Sequence, residues 1–168
     1  MQKKAREWSM IDNTKTGSGD IVRLQLDGDA LSLFVPVEEG AAREIRVGSV
    51  AGIRDMLARG RVTGAMLEGV IAGIEDLIMP SIRGLPGGAR LGVGDSELVC
   101  VLKEVADASG GDFSIEAVER LFNELADVAS GLPEKLSRSP MTASFVLGLV
   151  LLREVMHHGG FKSAMVLP

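Results

Sequence analysis

The sequence predicts an α+β fold: a small N-terminal antiparallel β-meander of about three strands, then a bundle of about five helices around a buried C-terminal helix. Three observations predict it. Val22, Leu24 and Leu26 alternate with Arg23 and Gln25, and Leu31, Leu33 and Val35 alternate with Ser32 and Phe34, on either side of Asp27-Gly28-Asp29. Alternation flanking an Asp-Gly turn is the strongest short-range hairpin signal. From Ser49 onward the apolar spacing becomes helical. Between Met141 and Leu152 the polar side chains are Thr142 and Ser144 alone, so a helix there must be enclosed by other protein.

Composition bounds the rest. A length of 168 residues predicts one domain, 21–168, behind a flexible polar tail, 1–20. A chain of this size buries roughly 70% of the surface its unfolded form exposes, enough to fold without staples. The single cysteine, Cys100, allows no internal disulfide, which fits a reducing cytoplasm. No apolar run follows Lys3, Lys4 and Arg6, so no signal peptide is expected. The apolar run at Met141 falls short of the roughly 20 residues a membrane span needs. The net charge is −5, with no tyrosine and no basic stripe, which argues against nucleic acid.

The elements follow in order. In the tail, Trp8 is the exception to a polar run and can dock on the body or on a partner. The hairpin ends at Pro36. Arg43 to Val47 gives a third strand, with Ile45 and Val47 inward. Val50, Ile53, Met56 and Leu57 share one helix face that Gly60 closes. Thr63 caps the next helix, whose stripe is Met66, Leu67, Val70, Ile71, Ile74, Leu77 and Ile78 and whose end is Pro80. Gly64, Gly69 and Gly73 lie inside it and imply a close approach by another backbone. Gly69 and Gly73 are candidate interface positions, and packing on the central helix is the competing reading.

Ser81 to Gly94 reads as a connection, with a short strand at Arg90 to Val93. Its glycines match neither phosphate-loop spacing, and Asp95 sits where an anion would approach. Asp95 or Ser96 caps a helix over Leu98–Ala106, and Cys100 on it is expected to be a small, at least half-buried hydrophobe. Ser114 caps a further helix, with Glu116 and Glu119 near its positive end. The central helix is expected to run from a Ser139 cap to a stop at Gly159. After it, Phe161 to Pro168 is apolar, and Met165 there is a candidate contact residue, in an edge strand or a groove.

One constellation bears on chemistry. Glu154, His157 and His158 stand at i, i+3 and i+4, and the two histidines are the only ones in the chain. Histidines at a helix C-terminus suit its negative dipole end, which is the favoured reading. The rival reading is a divalent-metal site, lacking at least one ligand from elsewhere. No nucleophile elbow, Walker loop, zinc-finger spacing or paired-Cys motif is present. The function expected on this basis is a non-enzymatic cytoplasmic interaction, assembly or regulatory module without a cofactor. It would engage a protein partner or self-associate as a homo-oligomer, through Trp8, Gly69, Gly73, Met165 and its methionine-rich apolar inventory. The alternative is a metal- or small-ligand-binding enzyme using Glu154, His157 and His158.

Overall fold

The computed structural model describes residues 20–37, 41–105, 111–137 and 139–168. Its strands are β1 (Ile21–Asp27), β2 (Ala30–Pro36), β3 (Ala42–Ser49), β4 (Arg90–Val93), β5 (Asp112–Ser114) and β6 (Ser163–Val166). Its helices are α1 (Ala51–Leu57), α2 (Gly64–Ile82), α3 (Ser96–Glu104), α4 (Ile115–Ala129) and α5 (Ala143–Gly159).

The expected three-stranded meander is corrected to a six-stranded mixed sheet, in the order β3-β2-β1-β4-β6-β5. β1, β2 and β3 pair antiparallel, as the hairpin signal requires. β4 then pairs parallel with β1, β6 parallel with β4, and β5 antiparallel with β6. The added strands span only three or four residues. The sequence suggests strands at Arg90–Val93 and in the C-terminal tail, but their partners lie far away in sequence, so neither alternation nor a tight turn announces the pairing.

The register gives the sheet two unlike faces. Val22, Leu24, Leu26, Leu31, Leu33, Val35, Leu91, Val93, Phe113 and Ala164 point inward, each no more than 9% exposed. They join the buried faces of all five helices in one core. On the outer face Ile21 pairs with Arg90, Arg23 with Phe34, and Gly92 with Met165. Among the described residues that face carries no helix.

α5 lies at the centre of the helical layer, packed against α1, α2, α3 and α4. Every side chain from Phe145 to Leu152 is buried. Its boundaries correct those expected. Thr142, not Ser139, caps it, accepting from the Phe145 N–H at 3.3 Å. Ser139 is buried, and its hydroxyl has no partner among the described residues. Gly160, left-handed at φ 72°, ends it one residue beyond the expected stop. There the Phe161 N–H reaches Met156 O at 2.9 Å, the reverse bond of a Schellman turn. Pro80 does not end α2, which runs two residues further to Ile82. Pro80 lacks the N–H that would bond to the Asp76 carbonyl, and the helix ends within two residues of it.

The side chains of Thr63, Asp95 and Ser114 cap α2, α3 and α4. Against the α2 glycines stand side chains of α1 rather than another backbone: a Cβ on Gly69 would lie 3.3 Å from Met56 Sδ, and one on Gly73 3.4 Å from Ile53 Cγ1. Cys100, expected to be at least half-buried, is exposed. Trp8 and the proposed tail, save Asp20, lie outside the described residues.

Candidate metal centre and the two ends of the sheet

Glu154 is the one acidic residue on α5, and only 1% exposed. A carboxylate costs several kcal/mol to bury unless its charge is met. Arg153 meets it, donating from Nη1 to Glu154 Oε1. The same guanidinium donates from Nε to both oxygens of Glu119 on α4, at 3.1 and 3.2 Å, and stacks 4.4 Å from the Phe122 ring centre. Burial would favour a neutral Arg153, but its bonds to Glu119 and Glu154 outweigh this and hold it above its ordinary range.

The other side of Glu154 faces a histidine. His158 Nε2 lies 3.3 Å from Glu154 Oε2 and 3.1 Å from Glu75 Oε1, which α2 supplies. These ligand atoms all lie within 4.8 Å of one another. Two donors on one tetrahedral ion at about 2.1 Å stand about 3.4 Å apart, so the two spacings to His158 suit a coordination sphere as well as they suit hydrogen bonds. Two carboxylates and an imidazole suit a borderline divalent ion such as Zn²⁺ or Mn²⁺, leaving further positions to water. The donor set fits, although Arg153 on Glu154 would moderate the affinity.

The sequence-derived trio is therefore brought together in part. Glu154 and His158 share the cluster. His157 is exposed and outside it, its ring 5.1 Å from that of His158 in a T-shaped contact. Glu75 takes its place. It stands 83 residues from His158, on a helix whose sequence shows only an exposed acidic position. Nothing short of knowing that α2 crosses α5 would have selected it. Met165 lies half-buried on the outer face of the sheet, beside Gly92.

Ligands of open α/β sheets bind at the carboxyl ends of the parallel strands. Here a short link of three residues joins α5 to β6, so Glu154 and His158 lie toward the amino ends. The carboxyl ends hold a different cluster. Arg54 on α1 donates to Glu97 through Nη1 and Nη2 at 2.8 and 2.7 Å, to Asp29 through Nε at 2.8 Å, and to the Gly28 carbonyl at 3.0 Å. Chiefly through Glu97, these bonds raise the Arg54 pKa. Asp95 caps α3 through Leu98 N–H at 3.0 Å and also accepts from Leu26 N–H at 3.4 Å. The positive end of α3, the usual seat for a bound anion, is thus taken by the chain's own carboxylate.

No protein-family model matches this sequence, nor does the sequence of any curated protein. Solved structures do share the fold. An Aquifex aeolicus PPX-GPPA enzyme superposes with a TM-score of 0.64 at 10% identity, over 88% of this chain and 53% of its own. An exopolyphosphatase-like protein gives 0.61 at 10% identity, over 93% and 58%. An exopolyphosphatase from Cytophaga hutchinsonii gives 0.58 at 13% identity, over 88% and 53%. This chain thus spans about half the length of the structures it resembles.

The likeness overturns the expected non-enzymatic interaction module, because this fold is one that phosphatases carry. That expectation rested on missing motifs. Catalytic groups drawn from separate loops need leave no local motif, so their absence had little weight. No described helix is long and apolar enough to cross a membrane. The chain has the fold of half of a Ppx/GppA-type phosphatase structure, and carries on it a three-ligand cluster fit for a divalent ion.

Proposed function

We propose that this chain is a divalent-cation-binding domain of a phosphatase-like enzyme acting on phosphoanhydride substrates of the polyphosphate class. The observation that carries the reading is the convergence of Glu75, Glu154 and His158 within 4.8 Å, with Glu154 buried in an otherwise apolar helix segment. The fold shared with exopolyphosphatases supports the substrate class. The cation's part here is to tie α2 to α5 behind the sheet, since the cluster lies toward the amino ends of the strands. Substrate would meet the domain at the opposite end. There Asp29, Asp95 and Glu97 outnumber Arg54, so cationic contacts to phosphate would come from a further domain or from cations carried by the substrate.

The test is native mass spectrometry with Mn²⁺, paired with phosphate release from inorganic polyphosphate. One ion per chain is expected, lost in E75Q and H158A, together with release of phosphate by the Mn²⁺-loaded protein. No bound ion at millimolar Mn²⁺ overturns the cation reading. An ion without phosphate release, both from this chain alone and from the chain joined to its further domain, overturns the hydrolase reading.

A further inference from the structure

β3 is one edge of the sheet, and among the described residues it pairs with β2 alone. Its register runs unbroken from Pro36↔Ala42 to Ser32↔Arg46, and the bulge comes only after that. The Val37 N–H donates to Ala41 O at 3.0 Å, so Ala41 turns its peptide groups toward β2. Bonding direction alternates along a strand. Arg43 and Ile45 therefore also face β2, and Ala42, Glu44 and Arg46 point their N–H and C=O groups off the edge. An open edge is a template for another strand.

The side chains indicate which strand fits. Ile45 and Val47 lie on the helix side, half-buried at the margin of the core with Leu77 of α2. Glu44 and Arg46 lie on the outer face, opposite Phe34 and Ser32. Ser32 Oγ donates to Glu44 Oε1 at 3.0 Å, and Arg46 Nε stands 3.7 Å from the same oxygen. Charge on an edge ordinarily keeps strands apart. Here the sign reverses across Ile45. A second β3, antiparallel about a two-fold axis at Ile45, sets each Glu44 opposite the other copy's Arg46. These are the residues whose backbone groups face outward, so each such pair also exchanges both ladder bonds. The two Ile45 side chains meet between them, with Cβ atoms about 4.5–5.5 Å apart, and close the apolar margin. A slip of two residues either way would set Arg46 against Arg46 or Glu44 against Glu44, so the charges fix the register.

We propose that this chain self-associates as a two-fold dimer through antiparallel β3–β3 pairing centred on Ile45. The two sheets become one, with the helices of both copies on the same side.

Sedimentation velocity on the whole protein tests this. A strand pair of this size is a small interface, so the series runs up to millimolar concentration. A dimer is expected at the upper end. E44R and R46E each set like charges opposite one another, and each should be monomeric throughout. The two side chains are 43% and 87% exposed, so neither change should disturb the fold, which circular dichroism checks. Mixing E44R with R46E should restore a one-to-one dimer, because every arginine then faces a glutamate. The exchange E44R/R46E within one chain should restore it as well. A wild type that stays monomeric at millimolar concentration overturns the proposal. So does a dimer that both single changes leave intact, because the contact then lies elsewhere. Two monomeric variants that stay monomeric when mixed overturn the Glu44–Arg46 register.

Discussion

Arg54 and Glu97 meet in a two-pronged ion pair, Nη1 to Oε1 at 2.8 Å and Nη2 to Oε2 at 2.7 Å, that ties α1 to the first turn of α3. Both side chains are about three-quarters shielded, at 26% and 23% exposure. Arg54 also holds Asp29 and the Gly28 carbonyl, so one guanidinium fixes the β1–β2 turn, α1 and α3 together. Arg54→Ala leaves Asp29 and Glu97 facing each other unneutralised. The expected cost is about 1–3 kcal/mol, from the charge-assisted bonds lost. Urea denaturation checks it, and R54A should lose less stability when combined with E97Q than the single changes sum to.

Arg153 and Glu154 form the buried counterpart of that pair. Removing the cation alone leaves a carboxylate stranded at 1% exposure. Arg153→Met should cost about 3–5 kcal/mol. Combining it with Glu154→Gln removes the stranded charge and should restore most of the loss. A double change no more stable than R153M would show that Glu154 is satisfied by His158 instead.

Legibility in the sequence divides along the range of the interactions. The β1–β2 turn and the caps at Thr63, Asp95 and Ser114 are decided within three or four residues, and the sequence shows them. The parallel pairing of β4 with β1 and β6 is decided across some 70 residues by helices returning the chain, and no local pattern encodes it. The site follows the same division. Glu154 and His158 share one helix and are visible as i, i+4 neighbours, whereas Glu75 arrives only when α2 crosses α5. Glu154 also reads from the sequence as emerging into solvent, because Glu119, which anchors its arginine, lies on another helix.

Gly48 marks where β3 meets α2. The β2–β3 register shifts there, leaving Val47 as an extra residue. Gly48 adopts φ 150°, and a Cβ on it would fall 2.6 Å from Leu77 Cδ1. Gly48→Ala should therefore destabilise by about 1–3 kcal/mol, from backbone strain and overpacking together. In a Leu77→Ala background the steric part vanishes. The penalty of G48A, read from thermal unfolding, should then shrink to the backbone part alone.

His157 and His158 are adjacent in sequence but unlike in placement. Only His158 faces Glu75 and Glu154. Losing even an outer-shell partner weakens metal binding about 10–100-fold. Losing a ligand should exceed that. His158→Ala is thus expected to weaken Mn²⁺ binding by more than about 100-fold, and His157→Ala to leave it within about twofold. Isothermal titration of the two variants compares them directly, and equal losses would refute the three-ligand geometry.

Glu116 gives α4 an acid-sensitive start. Its own backbone N–H, then the Ser114 hydroxyl, bond its carboxylate and hold its pKa below the ordinary 4.5. The same Ser114 oxygen accepts from the Ala117 N–H at 3.2 Å, so serine and glutamate together satisfy the helix's first turn. A carboxyl more acidic in the folded chain than in the unfolded one stabilises its charged form. That contribution is complete above the unfolded value, near 4.5, and disappears as pH falls through the lowered folded value. Glu116→Gln carries no titrating group there. The difference in urea midpoint between wild type and E116Q should hold constant from pH 7 to pH 5, then narrow steadily below about pH 4.5. A difference that stays flat into acid would mean that Glu116 is no more acidic folded than unfolded. The capping would then rest on the Ser114 hydroxyl alone.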